Sequence, residues 1–334
     1  MHDYVVEMLE CPACHGPLAW TVAERQEGRV ETGEARCRAC AATYPVQEGI
    51  GVFLTPDLQR DDLWGQMESW LPQYLREHPD IERQLLDAPV ETLGPADQLF
   101  RAMVLDERGR HEEAREASRL ALPGVYTPEY LAACAAQTAF VIERLGAAGG
   151  PLVDLASGAG SLVEEMARRL SRPIVATDFS PTVLRADRQR WEPLGLYDRV
   201  SLVALDARRT PFQDGAVETL TTNHGLPNIA EPGHLLRELR RVVRGEFLAI
   251  TNFYPEDDAQ NAVPICEMKL QALLYRARAL EAFAAAGWHV EVANSRFAKV
   301  RPTPRSVLLG AGIDGMPVAD TVLEVCVLLA QSQP

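Results

Sequence analysis

Val153-Asp-Leu-Ala-Ser-Gly-Ala-Gly160 stands where a short apolar run at 151–155 passes into a helix-period pattern at 161–170, with Leu162, Val163, Met166, Ala167 and Leu170 on one face. A strand that turns through glycines into a helix opens a parallel sheet, and the residues beyond 170 repeat the unit. Pro173-Ile-Val-Ala-Thr177 reads as a second strand, and Ser180-Pro181 starts a helix with a hydroxyl at the N-cap and proline in the first turn. Residues 200–205, 217–222 and 247–251 read as further strands, 234–243 as a helix, and 266–286 as one long helix stopped by Gly287. With 289–292 and 323–329 the count reaches seven strands, which predicts an α/β fold with a mostly parallel, doubly wound sheet. Upstream, Thr127-Pro128 opens a helix that runs to Leu145 and feeds the first strand.

The chain has 334 residues, 47% hydrophobic and 24% charged, which suits a globular protein with one large domain and accessories or with two modest domains. Texture divides it into a cysteine-bearing unit at 1–55, a helical linker or lid at 56–146 broken at Pro79, Pro89, Pro95 and Pro123, and the α/β domain at 147–334. The net charge is −14, unevenly spread: 4 basic against 8 acidic residues in 1–55, 9 against 17 in 56–150, and 20 against 22 in 151–334. Acidic surfaces gain no counterion-release affinity for phosphate backbones, which disfavours a nucleic-acid partner. No apolar run reaches the ~18 residues of a membrane span, and MHDYVVEMLECPAC lacks the basic start and apolar stretch of a signal peptide. The expected location is cytoplasmic, with no membrane partner.

Cys11-Pro-Ala-Cys14 and Cys37-Arg-Ala-Cys40 form two C-x2-C turns, each able to aim two thiolates at one ion. Four thiolates leave no open coordination position, so a zinc ion held by Cys11, Cys14, Cys37 and Cys40 would be structural, contributing folding energy to a unit too small for its own core. Leu9-Glu-Cys-Pro-Ala-Cys-His-Gly-Pro-Leu18 and Tyr44-Pro-Val-Gln-Glu-Gly-Ile-Gly-Val-Phe-Leu54 resemble the small zinc ribbon known as the activating subunit of tRNA and translation-factor methyltransferases. The resemblance implies a ribbon that does no chemistry and holds a catalytic partner, here fused to it.

The glycine turn does not fit a nicotinamide fingerprint, because position 156 is alanine and position 163 valine, leaving only Gly158 and Gly160. Asp154 at the mouth of that turn would repel a pyrophosphate and suits a cation. S-adenosyl-L-methionine carries an ammonium and a sulfonium. Asp178 ends the second strand where nucleotide-binding α/β folds accept ribose hydroxyls, and Asp206 ends the third, where a carboxylate can accept from an adenine amino group while Ala207 leaves room for the ring.

Across about 185 residues this pattern resembles the class I S-adenosylmethionine-dependent methyltransferases, with a Rossmann-like sheet. The resemblance assigns Asp154, Ala156, Gly158 and Gly160 to the first motif, Asp178 and its neighbour Phe179 to the ribose region, Asp206 and Ala207 to the adenine region, and Asn223 within Thr221-Thr-Asn-His-Gly225 to the loop beside the methyl group. Ala156 departs from the usual glycine.

Methyl transfer is an in-line displacement in which the cofactor supplies the reactivity, so the chain must align a nucleophile and manage one proton. His224 is the candidate base, and Asn223, Asn252 and Tyr254, after the fourth and fifth strands, are candidates for orienting an acceptor. Tyr126 and Tyr130 are placed to close over the cofactor or to pack. The leading expectation is methyl transfer to a small-molecule acceptor, of the kind found in specialised metabolism. A zinc ribbon ahead of this fold also resembles the bacterial rRNA guanine methyltransferases, so an rRNA or tRNA base methyltransferase is the alternative. A non-catalytic cofactor-binding scaffold is a second one, against which three unpaired carboxylates at the mouth of the site argue. A homodimer is compatible with each.

Overall fold

The computed structural model describes residues 1–58, 63–146 and 149–332, with the side chains of 63–69 outside the description. The N-terminal unit consists of α1 (Asp3–Met8), β1 (Leu18–Gln26), β2 (Arg29–Cys37), β3 (Thr43–Gln47) and β4 (Ile50–Phe53). The helical segment follows as α2 (Leu63–Glu77), α3 (Pro79–Asp87), α4 (Pro95–Glu107), α5 (His111–Val125) and α6 (Pro128–Leu145). Next come β5 (Leu152–Asp154), α7 (Ser161–Arg169), β6 (Ile174–Asp178), α8 (Pro181–Trp191), β7 (Val200–Leu205), β8 (Val217–Asn223), α9 (Pro232–Val242) and β9 (Val243–Phe253). The chain ends with α10 (Ala259–Glu267), α11 (Gln271–Leu274), α12 (Arg276–Ala285), β10 (Trp288–Val300) and β11 (Thr321–Ser332).

The alternating units form a parallel sheet, and β11 inserts antiparallel between β9 and β10. The expected seven strands are present in the order β7-β6-β5-β8-β9-β11-β10, but the sheet among the described residues has eleven. The other four belong to the N-terminal unit, in the order β1-β2-β3-β4. β4 pairs in parallel with β7, with Ile50 opposite Leu202 and Phe53 opposite Leu205. The physical reason lies in β7, Val-Ser-Leu-Val-Ala-Leu, in which every residue is buried. Left as an edge, such a strand would offer an apolar template for aggregation.

Polar contacts fix the pairing register. The His2 backbone N–H donates to Ser201 Oγ at 3.0 Å, and Arg29 donates to the carbonyls of Tyr197 at 2.9 Å and Val200 at 3.0 Å while its guanidinium lies 3.9 Å from the Tyr197 ring centroid. Arg188 on α8 pairs with Glu31 at 2.9 Å, and Arg185 with Glu48 at 2.6 Å. One apolar core runs through Val5, Val30, Tyr44 and Phe53 into Val203, Leu205, Phe212 and Leu239, so the N-terminal unit shares the core of the α/β sheet.

Two helix expectations are corrected. The run at 266–286 is three helices, because Lys269 adopts a left-handed φ of 59° and Tyr275 is extended, which turns its ring into a buried cluster with Tyr254, Ile265 and Leu274. Pro123 lies inside α5 and does not break it, whereas Pro79 and Pro95 are the first residues of α3 and α4, where a missing N–H costs nothing.

The helical segment is fastened to the sheet through the connection at 301–320 between β10 and β11. Leu308, Leu309, Ala311 and Ile313 pack with Leu71, Leu75, Leu85, Phe100 and Val104. The buried carboxylate of Asp97, in the first turn of α4, accepts from the Ser306 hydroxyl and from the backbone N–H groups of Val307 at 3.3 Å and Leu308 at 3.2 Å. Asp97→Ala leaves those donors without an acceptor, and we expect a loss of about 2–3 kcal/mol, read as a lower midpoint in chemical denaturation, with Ser306→Ala costing less.

Candidate functional site

The C-terminal ends of β5, β6, β7, β8 and β9 converge on one crevice, the place where open α/β sheets hold ligands. After β5 the main chain turns tightly, with left-handed φ at Ala156 (52°), Gly158 (51°) and Gly160 (65°). A Cβ on Gly160 would come within 2.2 Å of the Trp191 ring on α8, so close packing as well as φ demands glycine there. Gly225, after β8, abuts the same turn: a Cβ on it would lie 2.8 Å from that of Ala156. The methyl at 156 and the glycine at 225 therefore fit each other.

The threonines of β8 and neighbouring hydroxyls fix the turn. Thr221 Oγ1 donates to Asp154 Oδ1 at 2.6 Å, Thr222 Oγ1 to the Leu155 carbonyl at 2.7 Å, and Ser157 Oγ accepts from the Thr177 N–H at 3.2 Å. Asp154 is buried at 1% exposure, and that burial raises its pKa to about 7. Asp178 reaches from β6 to the turn, accepting from the Gly158 N–H at 3.0 Å on Oδ2 and from the Ser180 N–H at 3.0 Å on Oδ1.

Asp206 is also buried in the crevice, but its environment differs from expectation. Arg208 grips the carboxylate through Nε at 3.0 Å and Nη2 at 2.9 Å, and also donates to Glu231 at 2.8 Å. The expectation of three carboxylates standing unpaired at the mouth is thereby corrected: each has a partner within the protein, and Asp206 has a cation. Arg208, two residues beyond Asp206, carries no signal in the sequence, because its role depends on how the chain bends after β7. Ala207 is buried beside the pair, and Phe179 is half-buried next to Asp178.

On the acceptor side, Asn223 ends β8 half-buried, with its Nδ2 3.4 Å from Ser161 Oγ. His224 has a left-handed φ of 55°, and its N–H donates to the Ile250 carbonyl at 2.9 Å. Its Nε2 is buried with no partner among the described residues, and burial lowers the ring pKa to about 4, against the weaker opposing effect of a hydrogen bond that the ring donates to the Asn252 side chain. Asn252 lies within β9, which extends to Phe253, opposite Val325 of β11, instead of following the strand. Tyr254 does follow it and is buried, its N–H donating to the Leu274 carbonyl at 2.9 Å.

The four cysteines form a second site, remote in sequence from the first. Their Sγ atoms all lie within 4.8 Å of one another, with Cys11–Cys40 at 3.6 Å and Cys14–Cys37 at 3.5 Å. Thiolates bound tetrahedrally at about 2.3 Å would be about 3.8 Å apart, so the set fits zinc closely. N–H groups of Ala39 at 3.3 Å and Cys40 at 3.4 Å point at Cys37 Sγ, and Tyr44 Oη lies 3.2 Å from Cys11 Sγ. His15 takes no part, since its Nδ1 pairs with Glu10 at 2.6 Å.

Residues 153–248 match a family model described as a methyltransferase domain, and residues 3–49 match that of Trm112p-like protein. Curated relatives include the ubiquinone/menaquinone biosynthesis C-methyltransferase UbiE of Hahella chejuensis, 30% identical over 108 residues, 31% of this chain and 43% of that protein. The demethylmenaquinone methyltransferase of Clavibacter sepedonicus is 38% identical over 97 residues, 29% of this chain and 38% of that protein. The chain thus spans less than half the length of these relatives. Among solved structures, the YcgJ protein of Bacillus subtilis gives a TM-score of 0.47 at 14% identity, covering 59% of this chain and 99% of that one. The geranyl diphosphate C-methyltransferase of Streptomyces coelicolor A3(2) gives 0.44 at 18% identity, covering 60% and 76%.

Metal analysis of the purified chain is expected to find about one zinc per molecule, and Cys37→Ser with Cys40→Ser to lose both metal and solubility. Gly160→Ala combines a strained φ with a ring collision, so its thermal midpoint should fall by several degrees.

Proposed function

We propose that this chain, whose α/β core carries a class I methyltransferase domain and whose N-terminal unit is a Trm112p-like ribbon, transfers a methyl group from S-adenosyl-L-methionine to a small-molecule acceptor. The carrying observation is the crevice itself, in which Asp154, Asp178 and Asp206 end three adjacent parallel strands around a glycine turn packed against Trp191. In this reading residues 1–55 are a structural zinc ribbon, 56–146 a helical cover, and 147–334 the part that holds cofactor and acceptor.

When bound, S-adenosyl-L-methionine supplies an electrophilic methyl group on a sulfonium. The turn at Gly158 and Gly160 lets the main chain approach the methionine end, and the Asp154 carboxylate offers a counter-charge to its ammonium. The N–H groups of Gly158 and Ser180 fix the direction of the two Asp178 oxygens at the end of β6, where a ribose hydroxyl would donate to the carboxylate. Asp206 can accept from an adenine amino group only by sharing its oxygens with Arg208. His224 is neutral at physiological pH, and a ring pulled down to about 4 is a weak proton acceptor. Its role in this reading is to orient the acceptor through its unpartnered Nε2, with Asn223, Asn252 and Tyr254 around it.

Charge supports a small acceptor over RNA. The ribbon carries more acids than bases, and Arg25 and Arg29 within it already pair with Asp3 and Glu31. The relatives' printed names, of quinone-biosynthesis methyltransferases, point the same way. No described helix is long and apolar enough to cross a membrane.

Calorimetric titration with S-adenosyl-L-methionine tests the site: Asp178→Ala should weaken binding at least tenfold, and an unchanged Kd would refute the assignment. Because Asp154 must be ionised to face an ammonium, wild-type affinity should rise with pH towards about 7 and fall again as the ligand's own α-ammonium loses its proton at pH ~8. Asp154→Asn should bind more weakly and lose the rise.

A further inference from the structure

Resting on the methyltransferase reading, a second cluster at the same end of the sheet defines what the acceptor looks like. Tyr126, just before α6, Tyr130 in its first turn, Tyr254 after β9 and Asp314 in the 301–320 connection come from four places in the sequence. The Tyr126 hydroxyl donates to Asp314 Oδ2 at 2.8 Å, and the Tyr126 and Tyr130 rings lie 5.7 Å apart at 44°. Tyr130 and Tyr254 pack in one apolar cluster with Met316, two residues beyond Asp314. Burial raises all three phenols above their ordinary range, and nearby negative charge adds to it: that of Asp314 for Tyr126, of Cys134 and then Asp314 for Tyr130, and of Asp258 and then Asp314 for Tyr254.

Asp314 is solvent-exposed, yet the atoms packed round its carboxylate hold its pKa above the usual range, and Tyr126 is the one hydrogen-bond partner of that carboxylate among the described residues. Among the acids of this chain, Asp206, Asp187, Glu164 and Glu324 each pair with an arginine, whereas no ion pair to Asp314 forms among the described residues. A partly desolvated carboxylate beside aromatic rings, with no internal cation, is an environment that favours a cation from outside.

We propose that Tyr126, Tyr130, Tyr254 and Asp314 form an acceptor subsite for the ammonium group of an amine-bearing small molecule. The ammonium is the handle and not the nucleophile, because a protonated nitrogen has no lone pair with which to attack the methyl group. The reacting atom lies elsewhere on the acceptor, towards His224. The cluster binds charge through Asp314 and excludes water with the three rings, and both parts are needed for selectivity.

The probes are choline and its uncharged isostere 3,3-dimethyl-1-butanol, titrated into the full chain and followed by saturation-transfer NMR. Choline should bind at least tenfold more tightly than the alcohol. Asp314→Asn, at an exposed position that preserves shape, should abolish that difference, and Tyr130→Leu should weaken choline while leaving a residual charge preference. Equal binding of the two probes by the wild-type chain, or an undiminished preference for choline in Asp314→Asn, would overturn the proposal. Titration of the wild-type chain with S-adenosyl-L-methionine alongside separates the two readings: if cofactor fails to bind while the choline preference holds, the methyltransferase reading falls and the amine site stands.

Discussion

The parallel pairing of β4 with β7 is the constraint on which the rest of this molecule depends. β7 is apolar on both faces, and only a strand on its outer side satisfies its backbone while keeping it dry. The N-terminal unit supplies that strand and, through Arg29, His2 and Glu31, the polar contacts that set its register. The same pairing steadies the end of β7, where Asp206 and Ala207 enter the crevice. A ribbon of this size cannot bury a core alone, and the sheet cannot leave that edge bare, so each supplies what the other lacks.

The crevice is electrostatically prepared before any ligand arrives. Asp178 is held by two N–H groups, Asp154 by a threonine hydroxyl, and Asp206 by a guanidinium. Buried carboxylates in low dielectric are costly unless hydrogen-bonded, and these bonds also fix their directions. The contrast between Asp154, raised to about 7, and His224, lowered to about 4, has one cause, burial disfavouring the charged form in both. It leaves the His224 ring neutral at physiological pH and Asp154 titrating near 7.

Much of this was legible in the chain before its structure. The turn at 153–160, the second and third strand ends and the C-x2-C pairs are local patterns, in which a few adjacent residues carry the whole signal. The break at Lys269 was not, because a left-handed residue in an otherwise helical run depends on what Tyr275 packs against. The seven-strand count stopped short for the same reason: nothing within Ile50-Gly-Val-Phe53 says which edge it will join.

By itself, then, the sequence determined the alternation of strands and helices, the two C-x2-C turns and the places of the crevice acids, because periodicity and short spacings are set by local backbone geometry. Tertiary structure alone decided that β4 joins the sheet at β7, that Arg208 claims Asp206, that Asp97 fastens the 301–320 connection, and that Tyr126 meets Asp314. Each of those joins residues whose approach depends on the folding of everything between them, or on the turn of a loop, and no local pattern encodes such a distance.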